Sequence, residues 1–297
     1  MTDAALAARP VVERRRGETL TATALLGPAT LFVAVSLLGP LVILLRYSLN
    51  GFAEATKTMV AAVTLANYVK FFTDPYYTAI LLTTVRIAVL VTVVCLVLGF
   101  PLAYVVARTH SRFKNLLLMA IVLPLFVGNA VRAAGWMVVF GNKGFFNTTL
   151  AWLGVIDAPL EIMFTEKAVV IGIIAVNLPF MVLSLQSVIE GIDRAVEEAA
   201  YSLGAPPLTM FRRVLWPLAL PGVLAGTILT FILAMNAYAT PFLLGGPLFN
   251  MMAPLIYNQF TQQSNWPFGG AIAIILMAVT LSLTVAANLM LRRPVAR

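Results

Sequence analysis

The sequence predicts an all-α polytopic membrane protein with six transmembrane helices and with both chain termini in the cytoplasm. Three observations lead to this prediction. The chain is 61% hydrophobic and only 11% charged, its apolar residues form six long blocks, and its lysines and arginines concentrate on one side of those blocks. A soluble domain carries about 25% charged residues, so most of this chain is poorly suited to water.

Each apolar block holds about 20 residues or more, enough to cross ~30 Å of hydrocarbon at ~1.5 Å per helical residue. The blocks are residues 24–45, 79–107, 116–140, 168–189, 218–244 and 269–291. None alternates apolar and polar residues with a period of two. Only helices and closed barrels satisfy every backbone group in lipid, so the blocks are predicted to be helices. The interval between Arg213 and Arg292 holds no charged residue and is long enough for two of them, joined by an uncharged polar loop.

Lysine and arginine set the orientation, because cytoplasmic loops are rich in both. With the N-terminus inside, 13 of them fall on inner segments and 4 on outer ones. The inner set is Arg9, Arg14, Arg15, Arg16, Arg108, Arg112, Lys114, Arg194, Arg212, Arg213, Arg292, Arg293 and Arg297; the outer set is Lys57, Lys70, Lys143 and Lys167. The net charge of +8 is thus an orientation signal, and no nucleic-acid partner is predicted. The predicted units are a cytoplasmic tail over 1–23, one six-helix domain over 24–291 and a cytoplasmic tail over 292–297.

Several chemistries are missing from the sequence. There is no phosphate-binding G-x-x-x-x-G-K-[ST] loop, no HExxH pattern, one histidine (His110) and one cysteine (Cys95). No enzyme activity, metal site or cofactor is therefore predicted. All twelve Asp and Glu residues lie outside the apolar blocks, whereas proton-driven secondary transporters commonly carry an intramembrane carboxylate. This makes a secondary transporter the weaker alternative.

A polar segment over residues 190–217 lies between the fourth and fifth blocks on the predicted inner side. Its first part, DRAVEEAAYSLG, predicts a helix that ends at Gly204. Pro206 and Pro207 disfavour continuation of that helix, and LTMFRRVLWP predicts a second short helix. The segment is either an amphipathic connector with Arg212 and Arg213 on lipid phosphates or a docking element for a soluble partner.

Within this segment, EAAYSLGAPPLTMFRRVLWP resembles the EAA loop of ATP-binding-cassette (ABC) importer permeases, which favours docking. The family pattern is Glu-Ala-Ala, three residues, Gly, nine residues, then Ile-x-Leu-Pro. The matching residues are Glu198, Ala199, Ala200, Gly204 and Pro217. Val214 stands for Ile, a conservative change, and Trp216 stands for Leu, a larger change at the membrane boundary.

Further segments resemble the spermidine/putrescine-type subgroup of these permeases, and its first permease more than its second. They are TVRIAVLVTVVCLVLGFPLAYVVAR, VRAAGWMVVFGNKGFFN, NLPFMVLSLQSVIEGID and NQFTQQSNWPFGGAIA. The resemblance implies an importer in a bacterial cytoplasmic membrane, with a dimer of ATPase subunits, a second permease that makes a heterodimer, and an extracytoplasmic solute-binding protein. It also implies ATPase-coupling residues, namely Glu198, Ala199, Ala200 and Gly204, flanked by Ala205, Pro206, Pro207 and Leu208.

Intramembrane polar residues are the candidates for the solute path. They are Asn129, Arg132, Asn177, Asn236, Tyr238 and Thr240, with Arg86 as a further intramembrane charge. Other roles fit three of them. Arg132 lies ~24 Å along the third span from its inner end. Arg86 and Arg132 could both snorkel to the outer interface, and Asn177 could repair backbone groups freed by Pro179.

The solute itself stays open between two classes. The resemblance favours a polyamine such as spermidine or putrescine. A polycation, however, would favour carboxylates or aromatic faces along its path, and MNAYATPFLLGG, where relatives often carry an acid, has none. Arg132 suits an anionic or zwitterionic solute better, such as an opine, an amino-acid derivative or an aminophosphonate.

Overall fold

The computed structural model describes residues 11–109, 113–247 and 249–292, and the side chains of residues 26–289 within them. Residues 1–10 and 293–297 of the predicted tails, and the inner-side residues His110 and Arg112, lie outside the described residues. The described part is mostly helical. A two-stranded hairpin is the one departure from the predicted all-α chain within it.

The described elements follow one another in this order. The helices are α1 (Val11–Ser48), α2 (Ala66–Thr73), α3 (Pro75–Arg108), α4 (Lys114–Val122), α5 (Asn129–Phe140), α6 (Phe145–Trp152), α7 (Glu166–Glu190), α8 (Arg194–Ser202), α9 (Pro207–Met210), α10 (Trp216–Met235), α11 (Ala239–Leu244), α12 (Met252–Thr261) and α13 (Trp266–Arg292). The strands are β1 (Gly51–Ala53) and β2 (Thr58–Val60), which pair antiparallel. A 3-10 turn covers Leu123–Phe126 and a π turn covers Phe211–Leu215.

Five helices of the described residues are long and apolar enough to cross a membrane, and a bent pair makes a sixth if it is counted as one span. The five stretches are Leu26–Ser48, Pro75–Arg108, Glu166–Glu190, Pro207–Met235 and Trp266–Leu289. The bent pair is Lys114–Phe126 with Asn129–Trp152. The chain is therefore a multi-pass membrane protein, in which the five long helices overlap five of the six apolar blocks and the bent pair overlaps the third.

The third apolar block is not the single straight helix that its hydropathy predicts. Its two halves meet at an angle of 101°. Pro124 has no backbone N–H to donate to the preceding helical turn, and its ring crowds a carbonyl of that turn. The chain therefore leaves α4 for the 3-10 turn. Val127 and Gly128 then adopt extended backbone before α5 begins. The depth of ~24 Å for Arg132 assumed a straight helix and is wrong for that reason.

The fifth apolar block also breaks, because α10 ends at Met235 instead of continuing to residue 244. Asn236 caps its own helix end by donating from Nδ2 to the Ile232 carbonyl at 2.9 Å. Pro241, five residues further on, cannot donate to a carbonyl four residues before it, so the chain restarts as the separate helix α11. Residues 236–238 thus lie in a break between two helices and not along a span.

The centre of the bundle is α7, which packs against both α3 and α10. Glycines on the two neighbouring helices allow the close approach. A Cβ at Gly99 of α3 would lie 2.9 Å from Met181 Cγ, and a Cβ at Gly226 of α10 would lie 2.7 Å from Met181 Sδ. Met181 itself is fully buried. Small residues that let backbones approach are the usual contact of helices in membranes, where lipid removes the hydrophobic drive.

In contrast, α1 lies at the edge of the bundle, and none of the residues 26–47 is buried. The C-terminal end of α1 contacts the first turns of α13, where a Cβ at Gly270 would lie 3.2 Å from the Leu44 carbonyl oxygen. Arg46 lies at this end of α1 and is hydrogen-bonded there. Its Nη1 donates to Asn50 Oδ1 at 2.5 Å and to the Ala62 carbonyl at 3.1 Å, which ties α1 to the chain that follows the hairpin.

The packing of α10 on α7 predicts the effect of adding one methyl group at Gly222. A Cβ there would lie 2.9 Å from Val188 Cβ and 3.3 Å from the Ser184 carbonyl oxygen. Neither can swing away, so Gly222→Ala should destabilise the bundle by about 1–3 kcal/mol and lower its unfolding midpoint in detergent. Gly135→Ala is the control, because a Cβ at that helical position meets nothing within 4 Å. Equal midpoints for the two variants would contradict the prediction.

Candidate functional site

A tight helical turn joins α8 to α9 at one end of the bundle. Two hydrogen bonds close α8 in a Schellman motif. The Ala205 N–H donates to the Ala200 carbonyl at 3.0 Å, and the Gly204 N–H donates to the Tyr201 carbonyl at 2.9 Å. Gly204 has φ +79°, a conformation in which a side chain is strained. Pro207 then opens α9 at a helix position where a missing N–H costs nothing.

The turn presents an exposed surface that combines a carboxylate with apolar side chains. Leu203 is 89% exposed and Leu208 is 67% exposed, so both side chains are open to contact with another surface. Of the eight coupling residues predicted from the sequence, Glu198, Ala199, Gly204, Pro206, Pro207 and Leu208 are exposed, Ala205 is half-buried and Ala200 is buried. Ala200 therefore packs α8 on the bundle. We call Glu198, Ala199, Leu203, Gly204 and Leu208 the turn surface.

The opposite face of α8 carries a buried ion pair that sequence reasoning missed. Arg108, the last residue of α3, donates from Nε (2.8 Å) and Nη2 (2.5 Å) to Oε1 of Glu197. The Tyr104 hydroxyl donates to Oε2 of the same carboxylate at 2.9 Å. The side chains of Arg108 and Glu197 are 12% and 8% exposed. The two adjacent glutamates of α8 thus point to opposite surroundings, Glu197 into the bundle and Glu198 outward.

One signal in the sequence could have separated these two glutamates. Glu197 is three residues before Ala200, so helix periodicity places both on one face. Asp193, whose carboxylate accepts from the Ala195 N–H at 2.9 Å, marks where that helix begins. The partner Arg108 could not have been found this way, because it is 89 residues distant in the chain.

A second candidate site is a cavity of about 340 Å³ where α5, α7 and the α10–α11 break meet. The structure brings all six predicted path residues together at its wall, which are Asn129, Arg132, Asn177, Asn236, Tyr238 and Thr240. Apolar residues such as Ile173 and Phe180 fill the rest of the lining. Close packing holds α11 in place there, because a Cβ at Gly172 would lie 2.6 Å from Thr240 Cγ2.

Three nitrogen atoms at this cavity are buried without a hydrogen-bond partner. They are Nε and Nη1 of Arg132 and Nδ2 of Asn177, which is 1% exposed. Only Nη2 of Arg132 is bonded, to Asn129 Oδ1. Asn177 therefore does not donate to a carbonyl freed by Pro179, and Arg132 turns into the cavity wall. Buried donors normally find acceptors, so these atoms are available to a bound group.

Tyr238 belongs to a cluster of three aromatic rings and is the member of that cluster that lines the cavity. The Tyr238 ring stacks on Phe242 with centroids 5.3 Å apart and lies 4.8 Å from the ring of Tyr257. Phe242 and Tyr257 had not been singled out in the sequence, and no spacing rule joins them, since Tyr257 comes from α12. No carboxylate is among the residues that line the cavity.

The remaining intramembrane charge, Arg86, lies outside this cavity. Its Nη2 pairs with Glu166 Oε2 at 2.5 Å, and the two side chains are 63% and 41% exposed. The pair ties α3 to the first turn of α7. Among the described residues, no group of three His, Cys, Asp or Glu residues is placed to hold a metal ion.

Comparison with known proteins adds sequence relatives and structural neighbours. Residues 59–294 match the family described as binding-protein-dependent transport system inner membrane component. The spermidine/putrescine transport system permease protein PotB of Haemophilus influenzae is 37% identical over 236 residues, which is 78% of this chain and 82% of that protein. PotB of Escherichia coli is 40% identical over 216 residues, covering 73% of this chain and 78% of the relative.

Solved structures resemble the fold at lower sequence identity. A chain of a bacterial alginate ABC transporter, solved with an alginate pentasaccharide-bound periplasmic protein, aligns with a TM-score of 0.77 at 18% identity. The alignment covers 97% of this chain and 99% of that one. A chain of the inward-facing MetNI methionine ABC transporter aligns with a TM-score of 0.56 at 17% identity, over 75% of this chain and all of that one.

The unpaired donor of Asn177 predicts that Asn177→Leu leaves stability unchanged or raises it, because no native hydrogen bond of that nitrogen is lost. Thr84→Val is the matched contrast. The fully buried Thr84 hydroxyl donates to the Ile80 carbonyl at 2.8 Å and accepts from the Met252 N–H at 3.0 Å. Its loss should destabilise by about 1–3 kcal/mol. Unfolding midpoints in detergent measure both, and an equal loss in the two variants would show that Asn177 is structural.

Proposed function

Because the chain belongs to the family of binding-protein-dependent transport system inner membrane components, we propose that it is the permease subunit of an ABC importer that carries a polyamine such as spermidine or putrescine. The observation that carries the proposal is the turn surface. It places the EAA-spaced residues Glu198, Ala199 and Gly204, with two exposed leucines, on a rigid helical turn at one end of the bundle. Such a turn can transmit the motion of a docked protein.

The proposed partners follow from the same family. The turn surface contacts one subunit of an ATPase dimer, in which ATP hydrolysis takes place. A second permease subunit completes the path, and an extracytoplasmic binding protein delivers the solute. The exposed side of α1 (26–47) supports a role for this helix against lipid or another subunit.

In the proposed orientation of the chain in the membrane, the end of the bundle that carries α8 lies in the cytoplasm of a bacterial cell. The excess of lysine and arginine on the segments at that end supports this assignment. The chain then crosses the bacterial cytoplasmic membrane six times, with α4 and α5 sharing one crossing and both termini inside.

The solute path runs along the cavity at α5, α7 and the α10–α11 break. For a polyamine, the ring of Tyr238 in the cavity wall, packed against Phe242 and Tyr257, supplies a face that attracts an ammonium group. The polyamine class itself rests on the two PotB relatives.

A second class of solute is favoured by the three unpaired donors. Arg132 Nε and Nη1 and Asn177 Nδ2 would suit the oxygens of a carboxylate or phosphonate. The alternative function is therefore the same importer carrying an anionic or zwitterionic solute, such as an opine, an amino-acid derivative or an aminophosphonate.

Coupling is tested at the turn surface by Glu198→Lys and Gly204→Val. Both variants should insert, while uptake per ATP hydrolysed falls about tenfold, because one reverses the contact charge and the other strains a positive-φ turn. Gly154→Val and Glu161→Lys are matched controls, since Gly154 has φ +68° with nothing within 4 Å and Glu161 is exposed. Co-purification in mild detergent reports ATPase binding. Normal coupling in both variants, or no association of wild type with an ATPase, would refute the proposal.

The solute class is tested by reconstituting the complete importer in liposomes. Spermidine and putrescine should stimulate ATP hydrolysis and enter the vesicles, and Tyr238→Leu should reduce that uptake by about tenfold or less, the scale of one cation–π contact. Stimulation only by opines or other anionic solutes, lost in Arg132→Gln, would replace the polyamine with the second class.

A further inference from the structure

The buried carboxylate of Glu197 connects α8 to α3 through a closed set of hydrogen bonds. Besides the bonds from Arg108 and Tyr104, Arg108 Nη1 donates to the Ile192 carbonyl at 3.0 Å. In return, Arg194 Nη2 donates to the Arg108 carbonyl at 2.6 Å. The C-terminal end of α3 is therefore hydrogen-bonded both to the loop before α8 and to α8.

This joint differs from the other ion pair at the same end of the bundle. Lys114 Nζ pairs with Glu190 Oε1 at 2.5 Å, but those side chains are 31% and 35% exposed and join α4 to α7. Water and salt weaken such a pair. The Arg108–Glu197 pair is nearly excluded from water, so its geometry is kept rigid and separating its members leaves a buried charge without a partner.

The helix at the other side of the joint leads to the cavity. α3 has 34 residues, a length of about 50 Å at helical rise. It is locked to α7 by the contact of Gly99 with Met181. α7 in turn supplies Ile173 and Asn177 to the cavity wall. Packed contacts thus run from α8 through α3 and α7 to the cavity wall.

From this geometry we propose that Glu197 and Arg108 are positioning residues for the transport cycle, transmitting movement of the docked turn to the cavity through α3. The two neighbouring glutamates then have separate roles. Glu198 contacts the ATPase, and Glu197 transmits the movement of α8 to α3. The inference rests on the proposed function, because it needs an ATPase that drives the turn.

The experiment uses the complete importer in nanodiscs, with Cys95→Ala and Asn236→Cys as a reporter at the cavity. A membrane-impermeant maleimide labels the reporter without nucleotide and with ATP and vanadate, so no solute is required. The labelling rate should change at least about fivefold on nucleotide trapping, the lower end of typical coupling between sites. In Arg108→Gln and Glu197→Gln this response should fall below about twofold, while ATPase binding and hydrolysis persist.

Three further variants separate transmission from mere folding. The exchange of Glu197→Arg with Arg108→Glu should restore most of the nucleotide response, because the pair is rebuilt with reversed charges. Glu190→Gln, which breaks the exposed pair instead, should respond as wild type does. Tyr104→Phe removes one hydroxyl and no charge, so it keeps the test valid if the charge variants do not insert, and it should weaken the response measurably.

Three results would overturn the inference. If the response survives in the variants that insert, Tyr104→Phe included, or if ATPase binding and response are lost together without rescue by the exchange, the joint has only a structural role. If wild type itself binds no ATPase or shows no nucleotide response, the proposed function fails, and the inference fails with it.

Discussion

The constraint on which this structure depends is that hydrocarbon offers no hydrogen bonds to the chain. Each backbone group inside the bilayer must be satisfied within the protein, which accounts for the long helices and for the places where they stop. The break at Asn236 lies at the wall of the cavity. Buried polar side chains also need hydrogen-bond partners, and the described ones fall into two groups. Thr84 and Glu197 are buried with partners, whereas Asn177 and Arg132 retain donors without them.

Most of the helical architecture was predictable from hydropathy, because a span of ~20 apolar residues has few alternatives in water or in lipid. The two helix breaks were harder to predict from the sequence, although a proline lies near each of them, Pro124 near the first and Pro241 near the second. Proline occurs inside α3, α7 and α10 without breaking them, so its presence alone does not tell a kink from a break. The outcome depends on whether neighbouring helices support the freed carbonyl, which is a property of the packed bundle.

The candidate sites also differ in how far the sequence predicts them. The turn at Gly204 follows from local rules of capping, so the sequence placed it well. The six polar residues of the cavity could be named but not assembled, since their convergence depends on the broken helices α5 and α11. The Arg108–Glu197 pair joins positions far apart in the chain, and the neighbouring Glu198 drew attention because it fits a familiar pattern. Burial separates the two carboxylates, since Glu197 is buried and Glu198 is exposed.

The close contact of Met181 with Gly99 and Gly226 has a consequence for how this chain can vary among its relatives. The three positions share one volume, so a larger residue at 99 or 226 has to be matched by a smaller one at 181. Substitutions there are expected to occur in pairs and to leave a covariation signal between α3, α7 and α10. Sequence variation among relatives would then record the contact that packs these three helices together.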